Sequence, residues 1–266
     1  MTEQSQAQTR SPASRVIAIT SGKGGVGKTN LAVNLGIALA QSGRRTMLWD
    51  MDLGLANADV LLGLRVRTNL SDVLAGRSGL DDILTEAPGG LQVVPGASGD
   101  EDLANLDDSG RRALLHALEG AARKADYLLI DTGAGISDNV TRFTTTADDV
   151  IVVTTPEPTA LLDAFASIKL ISHRNPDAGI HLLVNMARSR KEARHAMLSL
   201  LSVADRFIHK HLEEEAYLPY DEGVSKAVRR RQPFILSAPE SPVSQAVWQV
   251  AHRLIESEWE LRTHPH

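Results

Sequence analysis

Short runs of β-branched and other apolar residues alternate along this chain with longer stretches in which apolar positions recur every three or four residues. The first pattern has the period of a strand and the second that of a helix, so their alternation predicts successive βαβ units. Strands are expected at Arg15 to Thr20, Thr46 to Asp50, Leu91 to Pro95, Tyr127 to Asp131, Asp149 to Thr154 and Ile180 to Asn185, with a weaker one at Ala216 to Leu218. Several are apolar at consecutive positions, as in Leu128-Leu129-Ile130 and Val150-Ile151-Val152-Val153. That is the pattern of parallel strands covered on both faces. Helices are expected at Lys28 to Ser42, Ser109 to Lys124, Ser137 to Thr146, Thr159 to Arg174, Lys191 to His211 and Pro242 to about Leu261. The expected fold is α/β, a single-domain doubly wound sheet, mostly parallel. Residues 15–262 would form the domain, with polar tails at 1–14 and 263–266.

Composition narrows the chemistry. The chain has 266 residues, Lys+Arg 28 against Asp+Glu 33, a formal charge of -5 and no cysteine. Without sulfur ligands, thiolate zinc sites, Cys-ligated iron–sulfur clusters and Cys nucleophiles are excluded. A net acidic chain with 4% aromatics offers phosphate backbones no global attraction and unpaired bases few stacking surfaces, so direct DNA binding is not expected. No apolar run approaches the roughly 18 to 20 residues of a membrane-spanning helix, and the start of the chain lacks a secretory h-region. The expected location is the cytoplasm.

The first strand runs into Gly22-Lys23-Gly24-Gly25-Val26-Gly27-Lys28-Thr29, which satisfies the pattern G-x-x-x-x-G-K-[ST] in the order strand, loop, helix. Its glycines let backbone N–H groups curl around phosphate oxygens, where a Cβ would hold the backbone off. Lys28 is the expected cation on the β/γ-phosphates, Thr29 the hydroxyl for Mg²⁺, and the helix that starts there points its positive end at the anion. Asn30 follows directly and joins the candidate nucleotide-binding set. Lys23 is a second lysine inside the loop. It is either a solvated surface lysine or a cation for a nucleotide held by a facing subunit, acting as an arginine finger does when supplied in trans. In the second case dimerisation switches the chemistry on.

Two acidic strand ends complete the candidate site. Asp50 and Asp52 lie two apart, so both are expected on one side of the second strand near its carboxyl edge. Asp52 is the candidate for orienting an attacking water. Asp131 closes an apolar strand, and the P-loop upstream turns a plain helix cap into a candidate Mg²⁺ ligand. Thr29, Asp52 and Asp131 are therefore the candidate metal set. Gly133 and Gly135 give an open segment beside them, suited to a switch that reports hydrolysis.

These residues resemble a known family. Lys23-Gly24-Gly25-Val26-Gly27-Lys28-Thr29 is similar to the deviant Walker A loop of the MinD/ParA ATPases. The segment Asp50 to Leu64, together with Glu157-Pro158-Thr159-Ala160, Val184 to Ala187, Asp205-Arg206-Phe207 and Pro219-Tyr220-Asp221-Glu222, resembles the FlhG/FleN branch, whose members regulate flagellar number and placement. The resemblance implies a P-loop NTPase fold, ATP/ADP and Mg²⁺, and a homodimer formed in ATP. It implies Lys23 as the lysine that crosses between subunits, Lys28 and Thr29 as phosphate and Mg²⁺ ligands, Asp52 as the catalytic switch acid, Asn57 as a switch residue near the facing subunit and Asp131 as the Walker-B acid. Asn185 would read the adenine edge, with turn formation as the other reading of an Asn at a strand end, and Pro219, Tyr220 and Asp221 would line the base pocket. The partners it implies are a FleQ-like activator of flagellar genes, held in check, and the GTPase FlhF, with recruitment to the cell pole. A positioning ATPase for septum, chromosome or plasmid, and a P-loop metabolite kinase, are the alternative functions.

The departures from that family are local. The N-terminal tail has only Gln6, Ala7 and Arg10 in place of a motif that stimulates FlhF. In the last helix Val247, Trp248, Ala251, Leu254 and Ile255 follow core spacing before Glu256, Glu258 and Glu260. Carboxylates repel anionic headgroups, so a core-packing helix is expected rather than a membrane anchor, with Trp259 and Leu261 as the residues that could serve one. Basic clusters at Arg188 to Arg194 and Arg229-Arg230-Arg231 read as solvated faces, as docking points for an acidic partner or as weak DNA contacts. His209 and His211, spaced i, i+2, point apart on a helix and define no metal site. Ser241-Pro242 reads as a helix N-cap with Pro at N1.

Overall fold

The computed structural model describes residues 14–52, 56–96, 108–135, 137–208 and 212–263, with only the backbone described at 108, 138–139, 213–215 and 258–263. Its eight strands are β1 (Arg15–Ser21), β2 (Thr46–Met51), β3 (Thr85–Glu86), β4 (Gln92–Val94), β5 (Tyr127–Ala134), β6 (Asp149–Thr154), β7 (Gly179–Ala187) and β8 (Glu213–Pro219). They form one sheet in the order β3-β4-β2-β5-β1-β6-β7-β8. Every pairing is parallel except that of β3 with β4. The α-helices are α1 (Lys28–Gln41), α2 (Ala58–Leu62), α3 (Leu70–Leu74), α4 (Leu80–Ile83), α5 (Asp108–Ala122), α6 (Asp138–Thr145), α7 (Pro158–Arg174), α8 (Arg190–Ile208), α9 (Glu222–Arg229), α10 (Phe234–Ser237) and α11 (Pro242–Thr263).

Alternation along β1 shows how the layers are built. Val16 and Ala18 enter one core with α5, α6, α7 and α8, while Ile17 and Ile19 enter the other with α1, α2, α9, α10 and α11. A strand buried on both faces must be apolar at every position, which is why β1, β5 and β6 read as unbroken runs. The chain goes from β1 outward through β2 to β3 and β4, returns to place β5 between β2 and β1, and then builds outward on the other side. The P-loop leaves the central strand where that order reverses, the place where open α/β sheets bind ligands.

All the expected strands and long helices are present, most within a residue or two of their expected ends. β7 and β8 are longer than their apolar stretches, and α8 is described only to Ile208, so His209 and His211 lie outside the described residues, as does the tail through residue 13. The two-residue β3 and the short helices α2, α3, α4, α9 and α10 were not anticipated, being too short for periodicity to register. β5 also continues through Gly133 to Ala134, so the first of the two open glycines ends a strand instead of starting a loop.

On α11 the expected apolar face is inward. Val243, Val247, Val250, Ala251 and Leu254 are buried, with Trp248 and Ile255 packed at the margin. Ser241 caps this helix, its hydroxyl accepting from the Ser244 N–H at 3.3 Å. The lower end is tied down by Arg15, which donates to the Leu254 carbonyl and the Ser257 hydroxyl. Among the described residues no helix is long and apolar enough to cross a membrane.

Candidate nucleotide site

The loop after β1 holds two glycines in the left-handed region, Gly25 at φ 79° and Gly27 at φ 92°. A Cβ at Gly27 would stand 2.4 Å from the Asn185 amide nitrogen, and one at Gly22 would stand 2.1 Å from the Asp163 carbonyl in α7. Only hydrogen side chains let the loop pass between α7 and the end of β7. Asn185 braces the loop from that side: its amide donates to the Val26 carbonyl at 2.8 Å and its oxygen accepts from the Met186 N–H at 2.8 Å. Met186 itself sits at φ 58°, a rare conformation for a residue with a Cβ.

Strand register assembles the acids. Asp131 on β5 lies beside Ile19 of β1 on one side and Asp50 of β2 on the other. Both oxygens of Asp131 are buried without a hydrogen bond of full geometry. Burial first, and Asp50 next, push its carboxyl up to about 8, while the nearby Thr29 hydroxyl and Lys28 ammonium pull it back. Lys28 is only 8% exposed and has no ion pair among the described residues. Burial lowers its pKa, against the attraction of Asp131 and Asp52. Asp52 is half-buried beside Gly133, its Oδ1 lying 3.5 Å from where a Cβ on that glycine would be.

Asp50 does a different job from the one its spacing implied. It is turned inward, 1% exposed, and accepts backbone N–H groups from Asp52 at 3.2 Å and from Asn57 and Ala58 at 2.8 Å each. Burial raises its pKa to about 6 despite those bonds. It therefore ties the end of β2 to the start of α2 and fixes both ends of the segment between Asp52 and Asn57. Asn57 is exposed at the N-cap of α2 and contributes no capping side-chain bond.

On the other side of the loop, Gly27, Asn30, Asn185, Pro219, Tyr220 and Asp221 line one cavity. The sequence placed these residues in three separate segments; the parallel register of β7 and β8 joins them. Asp221 caps α9 by accepting from Gly223 N–H at 2.7 Å, and Tyr220 is exposed at the rim.

Lys23 is directed to the N-terminus of α7. Its ammonium pairs with Glu157 at 2.8 Å and approaches the Thr159 hydroxyl at 3.4 Å. Spacing gives no sign of Glu157 as its partner, which stands in the Glu157-Pro158-Thr159 segment that carries part of the family resemblance.

The arrangement fits Mg²⁺ and a nucleotide phosphate. A buried carboxylate with unpartnered oxygens calls for a cation, and a buried ammonium beside a glycine cradle calls for an anion. Among the described residues no group of three or more His, Asp or Glu side chains is placed to hold a metal ion by itself. Mg²⁺ is commonly held by one or two carboxylates together with substrate phosphate oxygens; here Asp131 would supply a carboxylate and Thr29 a hydroxyl beside the phosphate loop.

Comparison with known proteins agrees with this geometry. Residues 14–177 match a family described as an AAA domain, and residues 114–255 match the NUBPL iron-transfer P-loop NTPases. The antiactivator FleN of Pseudomonas aeruginosa is 43% identical over 251 residues, covering 94% of this chain and 89% of that protein. The flagellum site-determining protein YlxH of Helicobacter pylori is 39% identical over 246 residues, covering 91% and 82%. Among solved structures, the septum site-determining protein MinD of Pyrococcus horikoshii, complexed with Mg-ADP, superposes with a TM-score of 0.77 at 28% identity, covering 90% of this chain and 95% of that one. With its P-loop, its MinD-like sheet and these relatives, the chain belongs to the MinD/ParA family of P-loop ATPases, which bind ATP or ADP with Mg²⁺.

Proposed function

We propose that this ATPase is a dimerising switch of slow turnover that regulates flagellar number and placement. In this reading, ATP held by the P-loop brings two chains face to face, and Lys23 of each reaches the phosphates held by the other. Lys28 and the loop N–H groups bind the β/γ-phosphates, Asn30, Asn185, Pro219, Tyr220 and Asp221 surround the base, and Asn57 stands near the facing subunit. Thr29 and Asp131, with Asp52 beside them, would hold Mg²⁺, which neutralises charge on the phosphate oxygens when bound. Asp52 accepts a hydrogen bond from the attacking water and orients it in line. Positive charge from Lys23 and Lys28 then stabilises the negative charge that develops at the transferred phosphoryl group. Hydrolysis removes contacts present only in the dimer, so the population returns to monomer.

The observation that carries this reading is the placement of Lys23. Its side chain is 41% exposed and directed to α7, so it is accessible to a second molecule. The similarity to an antiactivator and to a flagellum site-determining protein supports a flagellar output. The expected target is a FleQ-like activator of flagellar genes, which the ATP form would restrain, with FlhF as a further partner and the cytoplasmic pole as the place of action.

Two measurements test it. Specific ATPase activity should rise with protein concentration as light scattering detects a dimer in ATP; a flat profile with no dimer overturns the trans role of Lys23. Pull-down with the flagellar activator and with FlhF should retain at least one of them in a nucleotide-dependent way. Retention of neither, in ATP or ADP, overturns the flagellar output.

A further inference from the structure

Among the described residues the sheet ends at β8, which has a strand neighbour on one side only. Over that edge α8 and α11 leave a groove of about 760 Å³ that contains no P-loop residue and meets the base-side cavity at Pro219. Both helices run from the carboxyl edge of the sheet toward its amino edge. α8 starts just after the end of β7, and α11 starts beside Val243, which shares the base-side cavity with Pro219, and reaches Arg15 at the first residue of β1 through Leu254. From Pro242 to Arg253, both in the groove wall, α11 extends about 16 Å at its rise per residue, the length of roughly five extended residues.

Chemistry is graded along this groove. Arg190 and Arg194, one turn apart on α8, stand at the carboxyl-edge end, and Met197 and Leu198 continue the same stripe on the next turn. Tyr217 of β8 contributes to the floor, and Arg253 of α11 stands toward the other end. Arg190 and Arg194 are exposed and make no ion pair among the described residues, and Leu198 is 49% exposed. No carboxylate appears in the lining among the described residues. An exposed leucine in an apolar groove, beside two arginines that lack a counter-charge among the described residues, is a recognition surface for something that is apolar and anionic at once.

We propose that this groove docks a short acidic, amphipathic segment of a partner protein, lying along β8 with carboxylates on Arg190 and Arg194 and an apolar side chain over Met197 and Leu198. A nucleic-acid backbone is the poorer match. It presents charge without interruption and calls for a continuous cationic track, whereas here the arginines are separated by methionine, leucine and tyrosine. The inference stands apart from the flagellar reading, since it names the chemistry of an occupant and not its identity.

The test uses the full chain and a phage-displayed library of random peptides, with selected sequences remade as fluorescein conjugates for anisotropy. Selected peptides should carry Asp or Glu on either side of a Leu, Ile or Phe, and their affinity should fall at least tenfold in the double variant Arg190→Glu/Arg194→Glu and in the separate variant Leu198→Asp. ATP turnover and circular dichroism should be unchanged in both, because none of the three residues belongs to the nucleotide site. Selection of peptides without acidic residues, no enrichment at all, or affinity unaffected by both variants overturns the proposal. Tighter binding of a short DNA duplex than of any selected peptide, lost on charge reversal, overturns it in favour of nucleic acid.

Discussion

In the isolated chain the ammonium of Lys23 rests 2.8 Å from the carboxylate of Glu157, at the N-terminus of α7. Both side chains are largely solvated, and the carboxylate raises the lysine pKa through its hydrogen bond and its charge. A lysine proposed to act on a facing subunit thus has a partner at home, and the two contacts compete. Glu157→Gln should move ATP-induced dimerisation to lower protein concentration by no more than a few-fold, the scale of a solvent-exposed ion pair. Lys23→Ala should abolish the concentration dependence of turnover while ADP still binds. Sedimentation in ATP and phosphate release read the two effects; an unchanged dimerisation midpoint in Glu157→Gln would sink the competition.

Asp131 offers a contrast between stability and activity. Its buried carboxylate oxygens have no hydrogen bond of full geometry, and burial, against the nearby Thr29 hydroxyl, drives its pKa to about 8, so the ionised form weakens the nucleotide-free fold. Asp131→Asn should raise the thermal midpoint of the nucleotide-free chain by a few degrees and reduce Mg²⁺-dependent turnover by about 100-fold or more. Scanning calorimetry without nucleotide and a phosphate-release assay check both directions. A variant that melts earlier than the parent would show that the carboxylate is compensated in the fold.

At the opposite edge of the sheet, Asp149 is an acid of the reverse kind. Burial works to raise its pKa, but hydrogen bonds from His181 at 2.8 Å and Arg15 at 2.5 Å outweigh it and hold the carboxyl at about 2. The folded value lies below the unfolded one, so this group stabilises the fold fully above about pH 4, by about 2 kcal/mol, and that contribution disappears as the pH falls toward 2. Urea titrations between pH 6 and pH 2.5 should show the loss, and Asp149→Asn should flatten it. The truncation Asp149→Ala should cost about 3 kcal/mol at neutral pH, because it removes the counter-charge of a largely buried guanidinium. A parent and variant with parallel acid limbs would refute the assignment.

Asn185 connects the base-side cavity to the loop. Removing its side chain takes one hydrogen bond from the Val26 carbonyl, a loss on the order of 1 kcal/mol. Asn185→Ala should weaken ADP binding about five- to tenfold by calorimetry. The ratio of ATP to GTP affinity then separates its proposed adenine contact from loop support: the first predicts a fall in the ratio, and an unchanged ratio leaves only the second.

Asp50 shows a limit of strand periodicity. Two residues apart on a strand means the same side, but β2 ends at Met51, and after that point Asp52 no longer follows the strand rule. Asp50 therefore caps α2 from within the core while Asp52 faces Gly133. Asp50→Ala should leave those N–H groups unsatisfied, destabilise the chain by about 1–3 kcal/mol, and slow turnover by displacing Asp52. Denaturation and single-turnover hydrolysis should move together; normal hydrolysis in a destabilised variant would separate the cap from the switch.

The sheet's central strands, the long helices and the phosphate loop were legible in the chain because their causes are local. A strand covered on both faces is apolar throughout, a helix repeats every three or four residues, and a loop that wraps a phosphate needs glycines at fixed spacing before a lysine and a hydroxyl. The same locality singled out Lys28, Thr29 and Asp131 as candidates without coordinates. What only the folded chain decided are relationships between distant segments. Register set Asp50 beside Asp131 and turned one of them into a cap. The close approach of β7 to the P-loop made Asn185 a brace, α7 gave Lys23 its Glu157, and α8 with α11 gathered arginines and apolar residues into one groove. None of these follows from spacing, since each depends on which elements the packing of two cores brings within hydrogen-bonding distance.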